Sequence, residues 1–219
     1  MDPSDARELP SEGLAAAQGG ADLEHVAELA AGCRACDLWK RATQTVFGQG
    51  PAPAPLVLVG EQPGDREDVM GDPFVGPAGQ LLDRALAEAG IDRAKVFVTN
   101  VVKHFKWRPT SGGKRRLHDK PDRAEVRACH PWLEAELAIV QPKALVCLGA
   151  TAAMALLGPS VKVSQTALTP IESRLAPLAM ATLHPSAILR TTGGEARARA
   201  FERLVGDLRF VAERLGLGP

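Results

Sequence analysis

Four short apolar runs punctuate the chain, at residues 56–59, 96–102, 144–148 and 179–183. None shows the polar alternation of a half-exposed strand, so each predicts a strand buried on both faces, as in a parallel sheet. Helical periodicity separates most of them. Leu81, Leu82, Ala85, Leu86 and Ala89 share one face of a segment at 77–89 that Gly90 stops. Asp122, with Glu125 three residues on, opens a second helix whose stripe is Val126, Cys129, Leu133, Leu137 and Val140, with Pro131 as a kink point. Further helical patterns occupy 22–31, 151–157 and 195–215. The alternation predicts an α/β fold, a three-layer α/β/α sandwich around a central, mostly parallel four-stranded sheet. Residues 21–219 read as one domain. Residues 1–20, rich in Ala, Gly, Pro and acids without a sustained period, predict a disordered acidic leader.

A chain of 219 residues buries a full core. With 45% hydrophobic and 24% charged residues it is neither wholly disordered nor fibrous. Lys plus Arg and Asp plus Glu both number 26, so the total charge selects no polyanionic partner. The distribution does. Residues 1–31 carry a net charge of −6, whereas 103–127 hold nine Lys or Arg against three acids, a net of +6. No apolar run approaches the roughly 20 residues that span a bilayer, and the opening is acidic and Pro-broken, so the expected place is the cytoplasm, with no membrane partner.

Parallel sheets bind ligands just beyond the carboxyl ends of their strands. Those positions hold Gly60-Glu61-Gln62-Pro63-Gly64, Asn100, Gly149 and His184-Pro185-Ser186. A carboxylate, two amides and an imidazole therefore converge on one rim. The GEQPGD turn lacks the Lys of a phosphate loop and the G-x-G-x-x-G pattern. Glu61 and Gln62 are not favoured turn residues, and a carboxylate there acts on bound water or orients an imidazole. His184, preceding Pro-Ser at a strand end, is placed to donate a hydrogen bond to a developing anion. His25, His104 and His130 read as structural or surface residues.

Cys33-x2-Cys36 has ligand spacing, and Cys129 and Cys147 lie on a predicted helix and near a strand end. Four thiolates suit tetrahedral zinc or an iron-sulfur cluster equally, and would tie the N-terminal helix to the sheet. The bland alternative makes Cys129 and Cys147 small core residues. The segment KHFKWRPTSGGKRRLHD at 103–119 interleaves Lys114, Arg115, Arg116 and His118 with Phe105 and Trp107. In a flexible loop this predicts phosphate contact plus base stacking. Three neutralised phosphates correspond to a log-log salt slope of roughly −2.7, and such contacts position DNA without reading its sequence.

GEQPGDRED at 60–68, DPFVGPAGQLLDRAL at 72–86, VTNVVKHFKW at 98–107, GGKRRLH at 112–118 and HPSAILR at 184–190, with the four cysteines, resemble the X-type uracil-DNA glycosylases (UdgX), a group allied to the iron-sulfur uracil-DNA glycosylases. The similarity covers about residues 22–215. The GEQPG form, where relatives commonly have Ala in place of Gln62, and the basic insertion ending in His118 set this group apart; Leu117 stands where Ile is expected. The resemblance implies a 4Fe-4S cluster on Cys33, Cys36, Cys129 and Cys147. It implies a pocket in which Phe74 stacks on uracil, Asn100 bonds its imide edge, His184 supports the leaving anion, and Gln62 and Asp65 contact substrate. Lys114, Arg115, Arg116 and Arg190 would then contact DNA. It further implies that His118 becomes attached to the anomeric carbon of the sugar after uracil leaves.

The expected partner is uracil-containing DNA, with single strands favoured because extruding a base costs less there, and the protein is expected to act as a monomer. Cleavage leaves an oxocarbenium-like sugar, normally captured by water. A neutral His118 in the water's place forms a nitrogen-carbon bond instead, with neighbouring Lys114 to Arg116 disfavouring its protonated form and Glu61 orienting it or taking its proton. Two alternatives compete: a conventional multiple-turnover glycosylase in which His118 merely touches phosphate, and a metal-stapled single-strand DNA-binding module without chemistry.

Overall fold

The computed structural model describes residues 5–111 and 116–218; Lys114 and Arg115 lie outside them. The strands are β1 Leu56–Gly60, β2 Val96–Asn100, β3 Trp107–Pro109, β4 Arg116–His118, β5 Ala144–Leu148 and β6 Leu178–Thr182. The helices are α1 Asp5–Gln18, α2 Leu23–Ala31, α3 Asp65–Met70, α4 Pro77–Glu88, α5 Arg123–Val140, α6 Ala150–Leu156, α7 Pro185–Arg190 and α8 Gly194–Leu215.

β2, β1, β5 and β6, in that order, form one parallel sheet. Successive side chains of a strand point to opposite faces, and here both faces are covered. Leu56 and Leu58 pack with Leu82 and Leu86 of α4 and Leu204 and Leu208 of α8. Val57 and Val59 pack with Val26 of α2 and Trp132 and Leu133 of α5. Two cores on one sheet explain why the strand runs carry no polar alternation, and the three-layer α/β/α sandwich is the observed architecture.

Three expectations change. Residues 5–18, read as a disordered leader, form α1, which packs on α5. Leu14 and Ala17 join the core. Gly13 sits so close to Trp132 that a Cβ there would lie 2.1 Å from ring atom Cζ3. An apolar face of Pro10, Gly13, Leu14 and Ala17 is too faint a period to recognise, and tertiary packing completes the helix. α5 runs unbroken through Pro131, anchored by the expected capping box between Asp122 and Glu125. Of the basic segment at 103–119, read as a flexible loop, residues 112–115 lie outside the described residues, and on either side of them the chain pairs as an antiparallel hairpin, Trp107 with His118 and Pro109 with Arg116. Among the described residues no helix is long and apolar enough to cross a membrane.

Candidate active site

The carboxyl ends of the strands open on a cleft of about 820 Å³ whose lining includes Glu61, Phe74, Asn100, His118, Thr151 and His184. Beneath the side chains of Asn100, Phe74 and His184 lies buried Gly60, the last residue of β1. A Cβ at Gly60 would lie 2.3 Å from Asn100 Oδ1, 2.8 Å from Phe74 Cζ and 3.4 Å from His184 Nε2. Three side chains therefore close on one point of backbone that only glycine leaves open. Phe74 holds a left-handed backbone conformation (φ 58°), and its ring lies 6.2 Å from that of His184 at an interplanar angle of 26°.

His184 Nδ1 accepts the Ser186 backbone N–H at 3.1 Å and lies 2.8 Å from Ser186 Oγ. A neutral imidazole with an accepting Nδ1 carries its proton on Nε2, the nitrogen that faces Gly60. Burial, followed by the charges of Arg190 and His118, holds the His184 pKa down to about 4, so the ring is a neutral donor.

His118 hangs from β4 with Nε2 3.5 Å from Glu61 Oε1. Burial and Arg190 lower its pKa below the ordinary histidine value against the opposing pull of Glu61 and Asp119, which disfavours the protonated ring at the rim. The other Glu61 oxygen, Oε2, accepts a hydrogen bond from Thr151 Oγ1.

Several expected contacts are spent within the protein. Gln62 is buried, its NH2 donates to the carbonyls of Lys106 and Asp119 (3.1 and 3.0 Å), and its Oε1 accepts the Lys106 N–H (3.1 Å). It clamps the base of the hairpin and has no amide hydrogen left for a substrate. Arg116 is not a free phosphate ligand: its Nε donates to Asp65 and its Nη1 to Asp68, each at 2.5 Å. Asp65, expected on substrate, holds Arg116 through Oδ1 and stays exposed on the cleft lining. Phe105 is buried, and the Trp107 indole donates to the Arg41 carbonyl while the guanidinium groups of Arg41 and Arg116 lie 4.6 and 5.6 Å from its ring, so both aromatics are engaged within the protein. Arg190, expected to contact DNA, is exposed and lines the cleft, as do Arg66 and Lys120. Adjacency to the GEQPGD turn and to His118 was the available signal for those two cations.

Three of the four cysteines gather. Cys33 Sγ accepts the Trp132 indole N–H, and Cys129 Sγ the Lys103 N–H, each at 3.2 Å. Burial pushes the Cys129 thiol up to about 12, with Lys103 opposing and Cys33 and Cys36 adding to the rise. Cys147 does not join them. It lies in β5 between Val59 and Ala181, and burial alone raises its pKa. The apolar strand requires a small buried side chain there, which is the core role weighed against ligation. His104, read as structural, lines with Cys33 a second cavity of about 160 Å³, and burial keeps it neutral with a pKa of about 4. Among the described residues no three His, Cys, Asp or Glu enclose a single ion. Thiolates on one zinc sit roughly 4 Å apart, given bonds of about 2.3 Å. Cys33, Cys36 and Cys129, near enough to raise one another's thiol pKa and with His104 beside Cys33, are a soft donor set of the kind an iron-sulfur cluster takes.

The profile of the Uracil DNA glycosylase superfamily matches residues 47–209. Over 190 residues, 86% of this chain and 94% of the relative, the sequence is 37% identical to a type-4 uracil-DNA glycosylase of Thermotoga maritima. It is 38% identical over 176 residues to a type-4 enzyme of Pyrobaculum aerophilum, covering 77% and 85% of the two chains. A third type-4 enzyme, from Archaeoglobus fulgidus, is 43% identical over 121 residues, 55% of this chain and 56% of the relative. A matched region that contains the whole cleft, from Glu61 to Arg190, places the chain in the uracil DNA glycosylase superfamily.

Proposed function

We propose that the protein excises uracil from DNA and ends the reaction cross-linked through His118 to the resulting abasic sugar. The excision half is supported by the superfamily and by relatives named type-4 uracil-DNA glycosylases. One observation carries the cross-linking half: His118 borders the same cleft as Asn100, Phe74 and His184, with the Glu61 carboxylate 3.5 Å from its ring.

A flipped uracil enters over Gly60, stacked on Phe74, with Asn100 bonding its imide edge. The bond between the sugar and uracil breaks with its electron pair leaving on the base, and His184 Nε2–H stabilises the resulting anion. The lone-pair nitrogen of His118 then forms a bond to the cationic anomeric carbon. Glu61 offsets the positive charge on the imidazole until the proton on its other nitrogen passes to solvent. The product is an N-glycosidic linkage with no leaving group comparable to uracil, so turnover stops at one. Arg66, Lys120 and Arg190 contact phosphates, and single strands are the preferred substrate because less stacking is lost.

The residues present fit a 4Fe-4S cluster held by Cys33, Cys36 and Cys129, with His104 rather than Cys147 as the fourth ligand. Bound there, the cluster supplies a structural tie between the N-terminal segment, α5 and the turn after β2.

Mixing with uracil-containing oligonucleotide is expected to give a denaturation-resistant protein-DNA band, absent with thymine, and His118→Ser is expected to release abasic DNA instead. Free uracil without any adduct, or more than one product per protein, contradicts the proposal.

A further inference from the structure

Glu61 has two carboxylate oxygens, and the structure gives each its own partner. Oε1 faces His118 Nε2 at 3.5 Å, while Oε2 accepts the hydroxyl hydrogen of Thr151. Thr151 is the second residue of α6, is buried, and stands on a fixed base. The preceding Gly149 adopts φ 87°, and its N–H donates to the Thr182 carbonyl of β6 at 2.9 Å. The hydroxyl thus issues from the junction of two adjacent strands. Glu61 is tied at its backbone, where its carbonyl accepts the Val102 N–H at 3.1 Å. Its side chain, partly open to the cleft, has three rotatable bonds, and without a second anchor it samples several rotamers.

We infer that Thr151 is a positioning residue for capture of the sugar: by holding Glu61 Oε2 it keeps Oε1 against the His118 imidazole. The inference rests on His118 being the trapping group. In that reaction the ring gains positive charge as its lone pair becomes the bond to the anomeric carbon, and a carboxylate already in place stabilises that charge without reorganising. With Glu61 swung away, His118 is held less well and water competes for the same cation. Loss of the hydroxyl therefore changes which nucleophile wins more than it changes how fast uracil leaves. A residue needed only for packing would not shift that division.

The test uses the full chain and a uracil-containing single-stranded oligonucleotide under single-turnover conditions, following adduct and alkali-labile abasic DNA separately. Thr151→Val deletes the hydroxyl at nearly constant shape, Thr151→Ala does so without a second methyl, and Thr151→Ser restores it. A hydrogen bond to a charged group corresponds to about a tenfold effect or more. Thr151→Val and Thr151→Ala are expected to form adduct about tenfold more slowly, to slow uracil release less, and to raise the share of free abasic product. Thr151→Ser is expected to return the division to wild type. The inference is overturned if the hydroxyl-free variants partition as wild type does, or if Thr151→Ser is as impaired as they are. Absence of adduct with the wild-type protein overturns the parent reading and this inference together, and is distinguishable from both.

Discussion

Gln62→Ala places in this chain the residue that relatives commonly carry in the first motif, and the structure sets the size of its effect. Three hydrogen bonds disappear, to the Lys106 and Asp119 carbonyls and from the Lys106 N–H. Each has a net worth of roughly 1 kcal/mol. The hairpin base keeps its own bond from Asp119 N–H to the Lys106 carbonyl at 2.9 Å, and water from the cleft replaces part of the loss. The remaining penalty is about 1–2 kcal/mol, a factor of about 5–30 in the population with His118 in place. Gly60, Asn100, Phe74 and His184 are untouched, so uracil should still leave. Gel separation of adduct, abasic DNA and intact oligonucleotide in a single turnover is expected to show adduct formation slowed by about 5–30-fold, with abasic DNA appearing instead. Unchanged adduct kinetics would refute the assignment of Gln62 as a clamp on the hairpin.

Three further outcomes follow from the same geometry. Gly60→Ala places a methyl 2.3 Å from Asn100 Oδ1, and β1 cannot retreat because Gly60 is paired in register with Asn100; single-turnover excision should fall by about 10²-fold or more. Lys103→Met strands Glu136 in the fully buried pair that now closes at 2.6 Å, a loss of about 3–5 kcal/mol that scanning calorimetry should register as a Tm about 6–20 °C lower. His184 is held near pH 4 when folded and titrates at about 6.5 when unfolded, so on acidification the unfolded chain takes up the proton first. The neutral ring's contribution, about 3 kcal/mol, is present above pH 6.5 and lost between about 6.5 and 4; His104, also held near 4, adds a like loss, so in urea unfolding free energies His184→Asn should remove about half of the histidine-linked dependence.

The sheet was legible because parallel strands covered on both faces leave continuous apolar runs, and the rim was legible because strand ends collect ligand-binding residues. Glu61, Asn100, His118 and His184 follow from those two rules and the motifs. What sequence could not show was how polar side chains would be spent. Lys106 and Asp119 lie far from Gln62 along the chain, and Asp65 and Asp68 far from Arg116, so a clamp read as a substrate contact and an internal ion pair as a phosphate ligand. Cys147 carried the same ambiguity: a thiol in an apolar run has one appearance whether it ligates or packs. α1 was missed because Leu14 and Ala17 form too narrow a stripe to rise above an Ala-rich background.

The most direct measurement is mass spectrometry of the protein after reaction with uracil-containing DNA, first intact and then after proteolysis and removal of the nucleotides. The peptide containing His118 should carry the added mass of an abasic deoxyribose on that imidazole, at one sugar per chain. An unmodified His118 alongside stoichiometric free uracil, or the sugar mass on any other residue, would contradict it.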